Sequence, residues 1–395
     1  MATVELVFIP SAGMSHLIPA VEIAKQLVSR DHRLSITVLV MKIPFHESKA
    51  SSSIQSLLLT AAEDRLKFVD LTLDEAAAAE LRSMPPHSSM TEFVNMNKQN
   101  VRDHITKTIS AGSTRIAGLV VDMFCTAMMD VAAEFGVPSY VFFTCNATVL
   151  GLLFHLESLT REEYHALAEL KDSDAELELP GFVNPVPVKV LPTPFVEKEF
   201  GAWFMGITKR LRETKGIMVN TFEELELNAI RSLAGDGNCP PVYPVGPVIN
   251  FVDGNGEDEG KAREIMEWLD NQPLSSVVFL CFGSMGSFEE DQAEQQTNAF
   301  QLVKELRVAV EIRIDYQKHF LSDSTNVMLV TTEEIENGVR KLMESSNESA
   351  KERKERVKEV SEKSKAAMVE GGSSYNSIGL LIEDFMKTTC NCKRN

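Results

Sequence analysis

Two side chains in the first third of the sequence could carry out acid–base chemistry together. His16 lies in Pro10-Ser-Ala-Gly-Met-Ser-His16, directly after the apolar run Val4–Ile9. Imidazoles titrate near neutral pH, so a histidine at the end of a buried strand could accept a proton from a substrate. Asp122 follows the apolar run 117–121 and could orient that imidazole and stabilise its protonated form. Such a pair would suit the deprotonation of an acceptor hydroxyl.

Each of these residues also has a plainer interpretation. His16 could lie near a helix N-terminus with no catalytic role. Asp122 could cap a helix predicted over residues 126–134. Gly283 and Ser284 close the apolar run 277–282 and could offer backbone N–H groups to phosphate oxygens, but such turns also occur with no ligand. The sequence leaves these alternatives open.

The composition excludes several classes of function. The chain has 395 residues, 44% of them apolar, and a formal net charge of −18. Because binding to phosphates needs a basic face, we expect no nucleic-acid partner. None of the six cysteines forms a CxxC pair, so we expect no metal site and no disulfide framework. The sequence lacks GxGxxG and GxxxxGK[ST], which argues against a nicotinamide oxidoreductase or a P-loop protein.

We expect a cytoplasmic protein that does not insert stably into a membrane. The first residues carry no basic segment and include Glu5, unlike a secretory signal. Residues 135–156 are uncharged apart from a histidine, but Pro138 and Gly151 interrupt the stretch. It divides better into a strand over 140–143, a loop and the start of a helix.

The order of predicted elements indicates an α/β protein with two domains. Apolar runs predict buried strands at 4–9, 34–40, 66–69, 116–121, 140–143 and 216–220, with a helix at 17–28 and others between the later strands. Strand–helix alternation of this kind favours a parallel sheet covered on both faces. A Pro-rich and then acidic, Gly-rich stretch predicts the domain limits: 1–240, a linker at 241–260, and 261–395.

The second predicted domain is short of strands. Candidates are residues 277–282, 308–312 and 327–330, and helices are predicted at 262–269, 333–344, 348–369 and 378–386. The run 348–365 is interpreted as a solvated helix face with charge pairs at helical spacing. A doubly wound domain needs several parallel strands joined by long crossovers, and residues 277–330 cannot hold a full set.

Several motifs together resemble the plant UDP-glycosyltransferases, especially members acting on flavonoids, other phenolics and terpenoids. These motifs extend over nearly the whole chain: Phe8-Ile-Pro-Ser-Ala-Gly-Met-Ser-His16, Asp122, Gly216-Ile-Met-Val-Asn-Thr-Phe-Glu-Glu-Leu-Glu226, Tyr243-Pro-Val-Gly-Pro247, Glu267-Trp-Leu-Asp-Asn-Gln-Pro273, Ser276-Val-Val-Phe-Leu-Cys-Phe-Gly-Ser284 and Glu370-Gly-Gly-Ser-Ser-Tyr375. The resemblance implies the GT-B arrangement of two facing Rossmann-like domains, with the acceptor mainly on the first and the UDP-sugar mainly on the second.

The resemblance also implies roles for individual residues. His16 corresponds to the base that deprotonates the acceptor hydroxyl, and Asp122 to its orienting partner. Donor contacts would come from Gly283, Ser284, Glu294 and Gln295, and Ser15, Phe124 and Thr144 would line the acceptor pocket. The oxygen would attack the anomeric carbon of a UDP-sugar, most simply UDP-glucose, and displace UDP with inversion. The UDP-sugar would be a co-substrate, with no cofactor and no metal.

The chain departs from the family in its donor-binding box. In the family, this box begins with Trp-x-Pro-Gln, passes through His-Cys-Gly-Trp-Asn-Ser and ends in Glu-Gln or Asp-Gln. Here Glu294-Gln295 matches only the final pair, and an internal segment is missing near residues 292–293. We therefore expect weak or no transfer by this chain, because the stacking indole and most phosphate donors are lost. The alternative is a non-catalytic remnant that binds an acceptor or pairs with an intact relative.

Overall fold

The structure is a computed structural model that describes residues 4–42, 64–84, 86–112, 115–170, 173–192, 198–249, 259–273, 276–278, 295–314, 330–344 and 348–391. Nine strands lie within these ranges: β1 (Val4–Ile9), β2 (Leu34–Met41), β3 (Leu66–Leu71), β4 (Arg115–Asp122), β5 (Ser139–Phe143), β6 (Glu176–Leu177), β7 (Val186–Pro187), β8 (Gly216–Val219) and β9 (Val242–Pro244).

The helices of the described residues follow the strands along the chain. They are α1 (Met14–Arg30), α2 (Glu75–Arg82), α3 (Pro86–Ser110), α4 (Met128–Glu134), α5 (Ala147–Ser158), α6 (Arg161–Glu169), α7 (Lys198–Leu211), α8 (Leu227–Gly235), α9 (Glu259–Asp270), α10 (Gln295–Phe300), α11 (Thr332–Met343), α12 (Glu348–Met368) and α13 (Ser373–Asn391).

Seven strands form one parallel sheet in the order β3-β2-β1-β4-β5-β8-β9. The order runs backwards along the chain from β3 to β1 and forwards from β4, so it reverses between β1 and β4. β1 is buried at five of its six positions, which explains why it reads as a continuous apolar run instead of an alternating one. The α/β fold class expected from the sequence is confirmed.

The main core is built from both ends of the chain. Helix α1 turns a regularly spaced apolar face toward the sheet, with buried residues Leu17, Ala20, Val21, Ile23, Ala24, Leu27 and Val28. The same cluster contains Ile378, Leu381, Ile382 and Phe385 of α13. The apolar tail predicted over 378–386 is therefore a core helix of the sheet-bearing unit.

The chain divides into two compact units. The first comprises residues 1–158, 202–249 and 363–395 and contains the seven-stranded sheet. The second comprises residues 159–201 and 250–362. Within the described part of the second unit, the strands are the short antiparallel pair β6 and β7, and the other regular elements are helical. The limits predicted from the sequence, 1–240, 241–260 and 261–395, stay a prediction.

The predicted strand over 308–312 is wrong, because its backbone ends a helical turn instead. A π-helical turn covers Gln301–Glu305, and the N–H of Val308 donates to the carbonyl of Leu302 at 2.9 Å. Arg307 takes a positive φ of 55°, which reverses the chain as helix C-caps commonly do. Most of the predicted strands 277–282 and 327–330 lies outside the described residues.

Candidate active site

His16 and Asp122 lie at the point where the strand order reverses. Asp122 is the last residue of β4, and His16 is the third residue of α1, which follows the neighbouring strand β1. Gly13 makes the connection possible: it precedes α1 with φ 121°, a conformation that only glycine adopts readily. In open parallel sheets, ligands bind beyond the carboxyl ends of the strands at such a reversal. The sheet topology therefore brings together two residues 106 positions apart.

The carboxylate of Asp122 has two tasks. Its Oδ2 lies 2.8 Å from Nδ1 of His16, and its Oδ1 accepts a hydrogen bond from the backbone N–H of Phe124 at 3.0 Å. The cap predicted for a helix over 126–134 is thus corrected: Asp122 caps the 3₁₀ turn Met123–Cys125, and the helix begins at Met128. The cap and the contact with His16 coexist because they use different oxygens.

This geometry selects one tautomer of the imidazole. Nδ1–H of His16 donates to the acceptor-only carboxylate of Asp122, so the lone pair of the neutral ring lies on Nε2. The side chain of Asp122 is 2% exposed and that of His16 is 19% exposed. A largely dry carboxylate stabilises an imidazolium more strongly than a hydrated one would. The pair can therefore take a proton at Nε2 and hold the resulting positive charge.

The three residues assigned to the acceptor by resemblance surround His16. Oγ1 of Thr144, directly after β5, lies 3.5 Å from Nδ1 of His16. The Phe124 ring meets the imidazole edge-on, with centroids 5.5 Å apart and planes at 68°. Ser15 precedes His16 in the first turn of α1 and is exposed. Their role toward an acceptor stays a prediction, and their proximity to the histidine is a structural fact.

The sequence analysis missed an aromatic cluster beside this histidine. Trp203 of α7 stacks on Phe124 with centroids 5.7 Å apart and planes at 5°. Phe204 is buried and packs edge-on against both rings. Nε1 of Trp203 donates to Oγ1 of Thr91 on α3 at 3.1 Å. The adjacent Trp203 and Phe204 on a predicted helix were the available signal, but nothing local connects them to Phe124.

A buried carboxylate also supports the loop that carries Thr144. Glu226, 4% exposed, accepts hydrogen bonds from the backbone N–H groups of Ala147 and Thr148, both at 2.9 Å, and from Oγ1 of Thr148 at 2.6 Å. These groups begin α5, where unpaired N–H groups and the helix dipole favour negative charge. Glu226 therefore fixes the start of α5, three residues after Thr144.

Of the four residues assigned to the donor, one is described, and it lies in the second compact unit. Gly283, Ser284 and Glu294 lie outside the described residues, and Gln295 is the first residue of α10.

Two further groups of described residues bear on the chemistry of this site: candidate metal ligands and the buried thiol of Cys125. Among them, no cluster of three histidine, cysteine or carboxylate side chains has the geometry to hold a metal ion. Burial, with the nearby charge of Asp122, raises the pKa of the Cys125 thiol well above its usual range, so this residue is not a nucleophile near neutral pH. No described helix is long and apolar enough to cross a membrane.

Comparisons with known sequences identify relatives that align over nearly the whole chain. The chain is 39% identical to UDP-glycosyltransferase 71E1 of Stevia rebaudiana, in an alignment that covers 98% of this chain and 100% of the relative. It is also 39% identical to UDP-glucose flavonoid 3-O-glucosyltransferase 6 of Fragaria ananassa, covering 96% and 98% of the two chains. No family model matches the chain.

Solved structures show the same similarity. The Medicago truncatula UGT71G1 structure, complexed with UDP-glucose, superposes with a TM-score of 0.81 at 32% identity and covers 97% of this chain and 98% of its own. A transferase from Siraitia grosvenorii in complex with UDP gives 0.77 at 31% identity, covering 97% and 100%. The fold and the site thus define a GT-B type sugar transferase. The chain belongs to the plant UDP-glycosyltransferase family.

One feature of the alignments distinguishes this chain from its relatives. The alignment with the Stevia protein extends over 492 positions, whereas the chain has 395 residues. At least 97 aligned positions of the relative therefore have no counterpart here.

Proposed function

We propose that the chain descends from, and retains the acceptor site of, an enzyme that transfers glucose from UDP-glucose to a hydroxyl of a flavonoid, another phenolic or a terpenoid. The observation that carries this proposal is the 2.8 Å contact between Nδ1 of His16 and Oδ2 of Asp122 at the reversal of the strand order. The choice of glucose is supported by the name of the Fragaria relative, a UDP-glucose flavonoid 3-O-glucosyltransferase, and by the UDP-glucose complex of the Medicago protein.

The proposed reaction gives each member of the pair a separate role. Nε2 of His16 takes the proton from the acceptor hydroxyl as its oxygen attacks the anomeric carbon of the sugar. The bond from that carbon to the UDP oxygen breaks, its electron pair leaves with UDP, and the configuration inverts. Asp122 keeps Nδ1–H bound and stabilises the imidazolium. A positioned base of this kind contributes about 10²–10⁴-fold to the rate.

We infer that the missing positions fall near residues 292–293 and leave transfer by this chain weak or absent. The support is the loss of every part of the family's donor box before Glu294-Gln295. UDP binding depends on several oriented donors and a stacking ring acting together. Losing most of them should reduce affinity by about a thousandfold or more, at about 1.4 kcal/mol per tenfold.

A second candidate function follows from the same loss of donor-binding residues. The chain could be a non-catalytic member of the family that binds an acceptor, or pairs with an intact relative, without transferring sugar. The observation favouring it is that the seven-stranded sheet and the surroundings of His16 are present, while at least 97 aligned positions of the Stevia relative have no counterpart.

We also infer that the protein works in the cytoplasm, with UDP-sugar as co-substrate and without a metal. The histidine–aspartate pair supports the metal-free mechanism, because it can deprotonate a hydroxyl without metal-activated water. The expected result is that turnover by a version of the chain with the donor segment restored persists unchanged in excess EDTA.

The test is UDP release from UDP-glucose with a panel of flavonols, simple phenols and terpenoid alcohols. The unmodified chain is compared with a version in which the missing segment is restored from the Fragaria relative. The His16→Ala substitution is made in each of these two chains. Turnover only in the restored chain, abolished by His16→Ala, is expected. Rapid turnover by the unmodified chain would refute the inference that loss of the donor box leaves transfer weak or absent. A restored chain that binds UDP but acts on no hydroxyl would refute the proposed function.

A further inference from the structure

The imidazole of His16 is held on more than its aspartate side. While Asp122 binds Nδ1, the ring edge of Phe124 packs against the imidazole at 5.5 Å between centroids. Phe124 is in turn stacked on Trp203, with their planes only 5° apart. Contacts of this kind favour one ring orientation, because edge-to-face and offset-stacked pairs have preferred geometries.

The indole of Trp203, which stacks on Phe124, is itself held by a hydrogen bond. Nε1 of Trp203 donates to Oγ1 of Thr91 at 3.1 Å, which fixes the rotation of the indole plane. Thr91 belongs to α3, whereas Trp203 belongs to α7. Buried Phe204 packs against the indole at 4.9 Å between centroids and limits its movement from another side. The anchor on α3 is thus connected to the proton-accepting side chain by three successive contacts.

We propose that Trp203 is a positioning residue for His16: held by Thr91, it fixes the ring of Phe124, and Phe124 fixes the imidazole. The proposal rests on the proposed function, in which Nε2 of His16 must point at an acceptor hydroxyl. Asp122 alone does not fix the ring, because a hydrogen bond to Nδ1 permits tilting about that bond. The contact from Phe124 restricts that tilt.

The proposal can be tested on the unmodified chain, without a sugar donor and without turnover. Diethyl pyrocarbonate acylates accessible imidazole nitrogens, and mass spectrometry of peptides gives the rate at each of the eight histidines separately. Trp203→Leu should raise the acylation rate at His16 about two- to tenfold, as expected when one aromatic contact is lost. The rate at exposed His165, in the other compact unit, should not change.

Smaller changes separate positioning from simple loss of packing. Trp203→Phe keeps a stacking ring without the Nε1 donor, and Thr91→Val removes the acceptor at similar volume. Both should raise the His16 rate by about twofold, the lower end of the range expected for one contact. Thr91→Ser keeps the hydroxyl and should restore the parent rate. Trp268→Phe, on exposed α9 of the other unit, is the matched tryptophan control and should leave His16 unaffected.

Each outcome decides the proposal. An unchanged His16 rate in folded Trp203→Leu overturns it. If the acylation rates of many histidines rise together in Trp203→Leu, that variant has unfolded, and Trp203→Phe and Thr91→Val test the proposal in its place. An unchanged His16 rate in both of these variants then overturns the proposal. Because the acylation assay contains no UDP-sugar, a restored chain that binds UDP without turnover would defeat the proposed function while leaving the acylation result standing.

Discussion

Oδ2 of Asp122 lies 2.8 Å from Nδ1 of His16, and its other oxygen is committed to the backbone of the next turn. The carboxylate is therefore fixed by the fold before any substrate binds. Its orientation does not depend on the histidine, because the cap on Phe124 N–H would persist without the imidazole. This arrangement makes the two residues separable by substitution.

We predict that Asp122→Asn lowers turnover by about 10²-fold or more in the chain with the restored donor segment, and that His16→Ala lowers it by about 10²–10⁴-fold. The amide can still cap Phe124 N–H through its oxygen, but it no longer supplies a negative charge to the imidazolium. Initial rates of UDP release measure both effects. Equal activity of Asp122→Asn and the parent would show that the contact has no part in proton transfer.

Glu226→Gln should destabilise the protein by about 1–3 kcal/mol. The amide nitrogen would confront N–H and O–H donors of Ala147 and Thr148, so at least one buried donor loses its acceptor. Urea unfolding followed by far-UV circular dichroism measures the change. Glu224→Gln is the matched control, since Glu224 is exposed and is expected to change stability by less than about 0.5 kcal/mol. Similar effects of the two substitutions would contradict the assigned role.

The two sides of α13 should respond differently to alanine. Phe385 is fully buried and packs edge-on against Tyr140 at 4.7 Å, so Phe385→Ala should cost about 3–5 kcal/mol. Leu380 on the same helix is 60% exposed, and Leu380→Ala should cost less than about 0.5 kcal/mol. Thermal unfolding of the two variants provides the comparison. A small effect at Phe385 would mean that α13 contributes little to the core in solution.

The pH dependence of stability should change in Asp31→Asn. Hydrogen bonds from Arg33 hold the pKa of the Asp31 carboxyl below its ordinary value of 3.8. A carboxyl with a lowered folded-state pKa contributes stability above its unfolded-state pKa, and that contribution disappears as the pH falls through the lower, folded-state value.

The parent should therefore exceed Asp31→Asn by about 1 kcal/mol at pH 7. The difference should shrink below pH 3.8, the ordinary pKa of the carboxyl. Urea unfolding between pH 7 and pH 3 measures it, with Asp64→Asn in an exposed turn as the control. A difference that stayed constant or grew toward acid would disprove the assignment.

The first half of the sheet was predictable because buried parallel strands produce continuous apolar runs. Val4–Ile9 was predicted with its observed limits, and β4 and β5 differ from the prediction by about one residue. Helix α1 begins three residues before the predicted start, at Met14, because Gly13 ends the loop there. This shift places His16 inside a helix, which apolar periodicity alone could not show.

The parts that sequence reasoning missed depend on contacts between distant segments. Thr91, Phe124 and Trp203 belong to three separate elements, so no local pattern indicates that they meet. Residues 308–312 have the alternation of a strand, but the N–H groups of Val308 and Ala309 donate to the carbonyl of Leu302 and end a helical turn. Tertiary context overrides the local strand preference of this segment.

Helix α13 has a consequence for the order in which the protein is made. It completes the core of the first unit, where Tyr140 Oη donates to Asp384 and Ser374 donates to the carbonyl of Gly246, yet it is synthesised after residues 250–362 of the second unit. At about 5–20 residues per second, a ribosome needs on the order of ten seconds to make that intervening stretch. During this interval one apolar face of the nascent sheet lacks the helix that covers it in the complete fold, so the first unit completes its core only after the second unit has been synthesised.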